Sequence, residues 1–163
     1  MSGTAKKRAQ LDKEDTIRRY ADMVYRLAYA QTRSKSDADD VFQEVFLRYL
    51  QKKPHFDSEE HQKAWLLRVT VNCSKKHWSS WWFRHAVPLE DNIPFQEPLE
   101  NDLDEALKTL SPAYRTVIHL FYYEGYSTAE IAQITSSRES TVRTRLTRAR
   151  RQLAEILKGA DLP

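Results

Sequence analysis

STAEIAQITSSRESTVRTRLTRARRQL, residues 127–153, decides the fold class. Ser127 and Glu130 stand at the spacing where a hydroxyl and a carboxylate cap each other's backbone N–H, which starts a helix. Ile131, Ala132 and Ile134 give that helix an apolar side. Ser136 or Ser137 can cap a second helix, and Ser136 with Glu139 repeats the box spacing. Projected at about 100° per residue, Val142, Leu146, Ala149, Leu153 and Ile156 form one apolar stripe. Ser140, Arg143, Thr144, Thr147, Arg148 and Arg151 fall on the opposite face. A helix–turn–helix that packs by one side and shows guanidiniums and short hydroxyls on the other suits a DNA major groove. Arg reads guanine or grips phosphate there, and Ser and Thr donate to phosphates or base edges. Arg138, Arg143, Arg145, Arg148, Arg150 and Arg151 face one acid, Glu139, so self-paired surface ion pairs do not account for them.

The rest of the chain is consistent with an all-α fold. Its 163 residues hold three glycines and little strand-like alternation, and 40% hydrophobic with 30% charged residues fits one medium or two small soluble units. The net charge of +3 hides an uneven distribution, with acids in the middle and bases on either side. The single Cys73 excludes an internal disulfide and fits a reducing cytoplasm. No signal-peptide or membrane-spanning apolar run is apparent, and the basic start at Lys6, Lys7 and Arg8 reads as a loose tail.

Residues 84–101, RHAVPLEDNIPFQEPLEN, break the helical pattern at Pro88, Pro94 and Pro98, and no Lys or Arg occurs from 88 to 106. This is an acidic linker between two helical units. The expected organisation is a tail at 1–12, a first unit at 13–83, the linker at 84–101 and a helix-turn-helix unit at 102–158. Helices are expected near 13–33, 37–52, 60–83, 103–109, 112–124, 127–135 and 138–158. Ser111-Pro112 marks a helix start and Gly125 a helix end.

In the first unit, DADDVFQEVFLRYL (37–50) begins with Asp37 as cap and Asp39 and Asp40 in the first turn, favourable against the helix dipole. Val41, Phe42, Val45, Phe46 and Tyr49 form its apolar face, leaving Asp39, Asp40, Gln43 and Glu44 outward. Residues 61–89 contain no acid but include Lys63, Arg68, Lys75, Lys76, Arg84 and all four tryptophans. On a helix, Trp65, Arg68, Asn72, Lys75, Lys76 and Ser79 share one face, with Leu66, Leu67, Thr70, Cys73 and Trp81 on the other. A basic stripe with an open ring suits single-stranded nucleic acid, because cations follow phosphates while a base stacks on the aromatic. Tryptophans as packing and lysines as solubilisers are the competing explanation for this stretch.

Together these pieces resemble the extracytoplasmic-function branch of the bacterial sigma-70 family. DADDVFQEVFLRYL is similar to the family's region 2 helix and KAWLLRVTVNCSKKH to the helix after it. LKTLSPAYRTVIHLFYYEGYSTAEIAQITSSRESTVRTRLTRARRQLAEIL is similar to region 4. The likeness covers roughly 13–83 and 102–158 and implies two helical domains of a promoter-recognition subunit, with no cofactor, no metal and no small-molecule substrate. It implies docking of Asp39, Asp40, Gln43 and Glu44 on the β′ clamp of core RNA polymerase, with the β flap as a second contact. It implies holding of the melted −10 element by the 53–60 loop and by Trp65, Arg68, Asn72, Lys75 and Lys76. Duplex −35 reading falls on Arg143, Thr144, Thr147 and Arg148, on the face that also carries Ser140 and Arg151. Ser140 stands where many members have Gly, and Thr144 where Ser is usual. The linker is expected to thread toward the RNA exit path. The resemblance further implies an anti-sigma factor as partner and a cytoplasmic bacterial protein, held at the membrane where that factor is anchored there.

Two other classes compete. A stand-alone helix-turn-helix regulator would need a dimerisation or ligand domain in the first half, where an acidic docking helix instead precedes a basic, tryptophan-bearing one. An enzyme finds no support: His55, His61, His77, His85 and His119 lack metal-ligand spacing, and no phosphate-binding glycine loop or nucleophile elbow occurs.

Overall fold

A computed structural model describes residues 2–86 and 102–159. These form α1 (Ser2–Thr32), α2 (Lys35–Lys52), α3 (Glu59–Ala86), α4 (Asp102–Thr109), α5 (Pro112–Ile118) with a closing π turn (His119–Tyr123), α6 (Thr128–Thr135) and α7 (Glu139–Gly159). Among the described residues there is no strand, and no helix is long and apolar enough to cross a membrane. The linker lies largely outside the described residues, although α3 continues through Arg84 to Ala86.

Three local expectations need correction. Helix α1 starts at Ser2, so residues 2–12, read as a loose tail, have helical backbone. Asp37 does not cap α2. Ser34 does, its Oγ accepting from the Asp37 N–H, because Arg33 at φ 50 ends α1 and places the hydroxyl one turn ahead of Asp37. Nor does Ser136 open α7. At φ 55 it closes α6, its N–H reaching Ala132 and Gln133 carbonyls. Glu139 therefore turns away from any box with Ser136 and accepts from the Thr128 hydroxyl at 2.9 Å.

Other punctuation follows the sequence. Ser111 accepts from the Tyr114 N–H and Pro112 occupies the first turn of α5. Gly125 at φ 74 makes the left-handed turn after the π segment, a conformation that suits a residue without Cβ. The Ser127–Glu130 box is reciprocal, at 3.2 and 3.0 Å.

Val24, Leu27 and Ala28 of α1 pack with Val41, Val45 and Phe46 of α2 and Leu66, Leu67 and Val71 of α3. The same cluster continues through Val117, Leu120, Ile131, Ile134, Val142 and Leu146, so the two halves share one core. Polar bonds reinforce the junction. Gln31 Nε2 donates to Thr116 Oγ1 at 3.0 Å. Arg115, 2% exposed, donates to the carbonyls of Ala30 at 2.8 Å, Gln31 at 2.7 Å and Leu110 at 2.5 Å. Two of those carbonyls belong to the last turn of α1, which has no intrahelical donors left for them. Burial pulls the Arg115 guanidinium down to about 10, which still leaves it charged at neutral pH.

Candidate nucleic-acid and partner interfaces

Helix α7 presents the expected face. Val142, Leu146 and Ala149 are buried, while Ser140, Arg143, Thr144, Thr147, Arg148 and Arg151 are all exposed. Thr144 and Thr147 donate their hydroxyls back to the carbonyls of Ser140 and Arg143, both at 2.9 Å, which fixes their rotamers and leaves oxygen lone pairs outward. Arg143 pairs with Glu139 at 3.0 Å. The Thr128 hydroxyl, then Arg143, hold the Glu139 carboxyl below its ordinary range, so this one acid on the face is ionised. Among the described residues no carboxylate pairs with Arg148 or Arg151. Arg150 points elsewhere, bonding Tyr122 Oη at 2.5 Å and lying over the Phe121 and Tyr122 rings.

On α2, Asp39, Asp40 and Gln43 are exposed and adjacent, above the buried Val41 and Val45. Glu44 is only partly so. It pairs with Arg48 at 3.0 Å and with Lys76 of α3, and Lys76 first, then Arg48, holds its carboxyl below the usual range. The structure thus joins a residue expected to face the polymerase to one expected to face DNA.

The α3 stripe is partly engaged. Asn72 and Lys75 are exposed. Trp65 is not an open platform: its ring packs edge-on against Tyr49 and Phe56, with centroids at 6.2 and 5.7 Å, and sits against the core. One ring from α2 and one from the 53–58 turn take it, a long-range effect that a helical projection does not contain. Phe56 also stacks edge-on with His61, whose Nδ1 accepts from the Asp57 N–H at 3.3 Å, so this loop has its own internal order. Arg68 donates across the junction to the Gln133 carbonyl of α6 at 2.7 Å. Ser79 and Trp81 have no described side chains.

Two features carried no sequence signal strong enough to single them out. A mostly apolar groove of about 800 Å³ runs between α1, α4, the π turn and α7, lined by Tyr25, Tyr29, Leu107, Tyr122 and Leu157 together with Arg26, Arg33 and Arg150. In its wall His119 Nε2 and Arg26 stand 3.4 and 3.6 Å from Glu124. His119 first, then Arg26 and Lys63, hold the Glu124 carboxyl below its usual range. The described residues contain no group of three or more His, Cys, Asp or Glu able to hold a metal.

An all-helical chain with a helix-turn-helix at one end and an acidic–basic helix pair at the other is a DNA-binding class of architecture. Comparison with known proteins narrows it. Residues 16–83 match sigma-70 region 2, and residues 100–153 match sigma-70 region 4. The ECF RNA polymerase sigma factor SigL of Mycobacterium tuberculosis is 33% identical over 150 residues, covering 85% of each chain. SigE of Mycolicibacterium smegmatis, also an ECF RNA polymerase sigma factor, is 31% identical over 88% of this chain, and the match spans 61% of SigE's length. The sigma factor RpoE from Bartonella quintana, solved with the anti-sigma factor NepR, has the same fold, with a TM-score of 0.68, 22% identity and coverage of 93% of this chain and 99% of that one. This chain belongs to the sigma-70 family, in its extracytoplasmic-function branch.

Proposed function

We propose that the chain is a dissociable, cytoplasmic promoter-recognition subunit of bacterial RNA polymerase. The carrying observation is the α7 face: six exposed donor or hydroxyl residues on one side of a helix whose other side is buried at Val142, Leu146 and Ala149. In this reading Arg143, Thr144, Thr147 and Arg148 enter the major groove of a −35 element, with Ser140 and Arg151 at the two ends of the contact. Asp39, Asp40, Gln43 and Glu44 dock on the β′ clamp, and the region 4 half meets the β flap. Arg68, Asn72, Lys75 and Lys76 hold the −10 strand, the Trp65 ring closing the inner end of that stripe. The functional units are 13–83 and 102–158, joined by the linker at 84–101. An anti-sigma factor is the remaining partner. A large apolar groove between the two halves supports it, as does a structural relative solved with such a factor. The chain itself supplies no reaction chemistry; nucleotide addition belongs to the polymerase.

The test is run-off transcription with core polymerase on a genomic fragment library, with and without the chain. Initiation sites that appear only when chain and core are both present are the expected result. Duplex binding indifferent to core, with no transcript directed from any template, overturns the reading.

A further inference from the structure

Tyr114, in the first turn of α5, closes a hollow of about 380 Å³ against α7, whose other walls are Ser140, Thr141, Thr144, Arg145 and Arg148. Only Ser140, Thr144 and Arg148 belong to the recognition face read from the sequence. Tyr114, Thr141 and Arg145 are half-buried and add a second wall to it. No acid lines the hollow, because Glu139 is turned to Thr128 and Arg143. Among the described residues the hydroxyls of Tyr114, Ser140 and Thr141 make no hydrogen bond, nor does the Arg148 guanidinium. Arg145 spends one N–H on Ser137 Oγ in the turn, at a long 3.4 Å, which fixes its stem and leaves its other N–H groups available. Three hydroxyl donors and two guanidiniums around a concave, acid-free space match one chemistry, a tetrahedral phosphate.

We propose that this hollow seats one backbone phosphate of duplex DNA beside the bases that α7 reads, and that Tyr114 and Arg145 are DNA-contacting residues. The inference rests on the reading of α7 as the duplex-binding face and adds the residues that would fix its register, since phosphate contacts position a helix in its groove. Tyr114 reaches the site because Ser111 and Pro112 start α5 so that its first turn lies against the N-terminal half of α7. Base reading stays with the outward residues of α7, Arg148 lying at the edge that this face shares with the hollow.

The experiment is anisotropy of the full chain with a short labelled duplex of mixed sequence, titrated with KCl. A phosphate contact is independent of sequence, so an unidentified promoter is no obstacle. Arg145→Ala is expected to lower the slope of log K against log salt by about 0.9, the release of one counterion. Tyr114→Phe, which keeps the ring and the packing, should weaken binding about two- to tenfold with the slope unchanged, because the lost group is neutral. The double variant should lose less than the two single losses combined, since both groups serve one phosphate. Lys52→Ala, at the far end of α2, is the control for non-specific charge. Full affinity in Tyr114→Phe, or an unchanged slope in Arg145→Ala, overturns the proposal while duplex binding by the wild-type chain keeps the reading of α7. No duplex binding by the wild-type chain at any salt sinks both. A further arm replaces chloride by inorganic phosphate at equal ionic strength. Competition that depends on Tyr114 without any Tyr114 effect on duplex affinity would make this a site for the free ion and refute the DNA contact.

Discussion

Arg115→Met should loosen the junction between the halves more than any other single replacement. The guanidinium makes three bonds of 2.5–2.8 Å to carbonyls, those of Gln31 and Leu110 buried and that of Ala30 partly so. A hydrogen bond to a charged group contributes about 1.5–3 kcal/mol, so three sum to about 4.5–9 kcal/mol before any cost of burial. Taking a guanidinium out of water opposes this by several kcal/mol, as its lowered pKa of about 10 reflects. Methionine restores some of the volume but none of the donors, and each orphaned buried carbonyl costs about 1–3 kcal/mol. The net expectation is a loss of about 3–5 kcal/mol, two or more powers of ten in the unfolding equilibrium. Urea titration of the full chain followed by circular dichroism measures it. Because two of the acceptors, on Ala30 and Gln31, lie in α1, the loss should separate the unfolding of the two halves into distinct transitions. A single transition displaced by less than about 1 kcal/mol would refute the assignment of Arg115 as the clasp.

Replacing Asp40 and Gln43 together with Ala, both exposed and free of core packing, should weaken core-polymerase binding at least tenfold by competition assay, as about 1.4 kcal/mol per tenfold requires, while leaving the helical signal intact. Unchanged core affinity removes the docking face. Asn72→Ala with Lys76→Ala should impair promoter opening more than closed-complex formation. Normal permanganate reactivity at the −10 region would count against α3 as the strand-holding element. Glu124→Gln tests the acid limb of stability. A carboxyl held below its ordinary 4.5 adds stability above that pH and loses it as pH falls through the folded value. The variant should therefore be less stable than wild type at neutral pH, with the gap closing below about pH 4.5 in urea midpoints. A gap that stays constant with pH would mean that the charge on Glu124 is not the cause.

What the sequence made legible was local and periodic. The Ser127–Glu130 box, the Ser111-Pro112 start and the Gly125 stop each rest on one or two residues with strong backbone preferences, and all three are present. The α7 face was readable because one stripe of Val142, Leu146 and Ala149 divides it cleanly from the arginines. Failures came where competition between neighbours decides. Asp37 and Ser34 both suit a cap, and only the left-handed Arg33 selects Ser34. Trp65 lies on the basic side by periodicity, yet Tyr49 and Phe56, brought there by the turn after α2, take its ring. Arg115 was not singled out, because one arginine among Tyr114, Thr116 and Val117 does not say which carbonyls it will find. Tyr114 gave no sign of the hollow it closes, because that site exists only when α5 crosses α7.

The π turn at His119–Tyr123 has a consequence of its own. Its bonding reaches one residue further back than a regular turn, from the Glu124 N–H to the His119 carbonyl at 3.1 Å, so an additional residue is absorbed without a loop. Everything downstream is thereby rotated by about 100° relative to an unbroken helix. Deleting one residue from this segment would leave the length of the protein almost unchanged but swing Phe121 and Tyr122 out from beneath Arg150, dephasing the helix-turn-helix from the rest of the molecule.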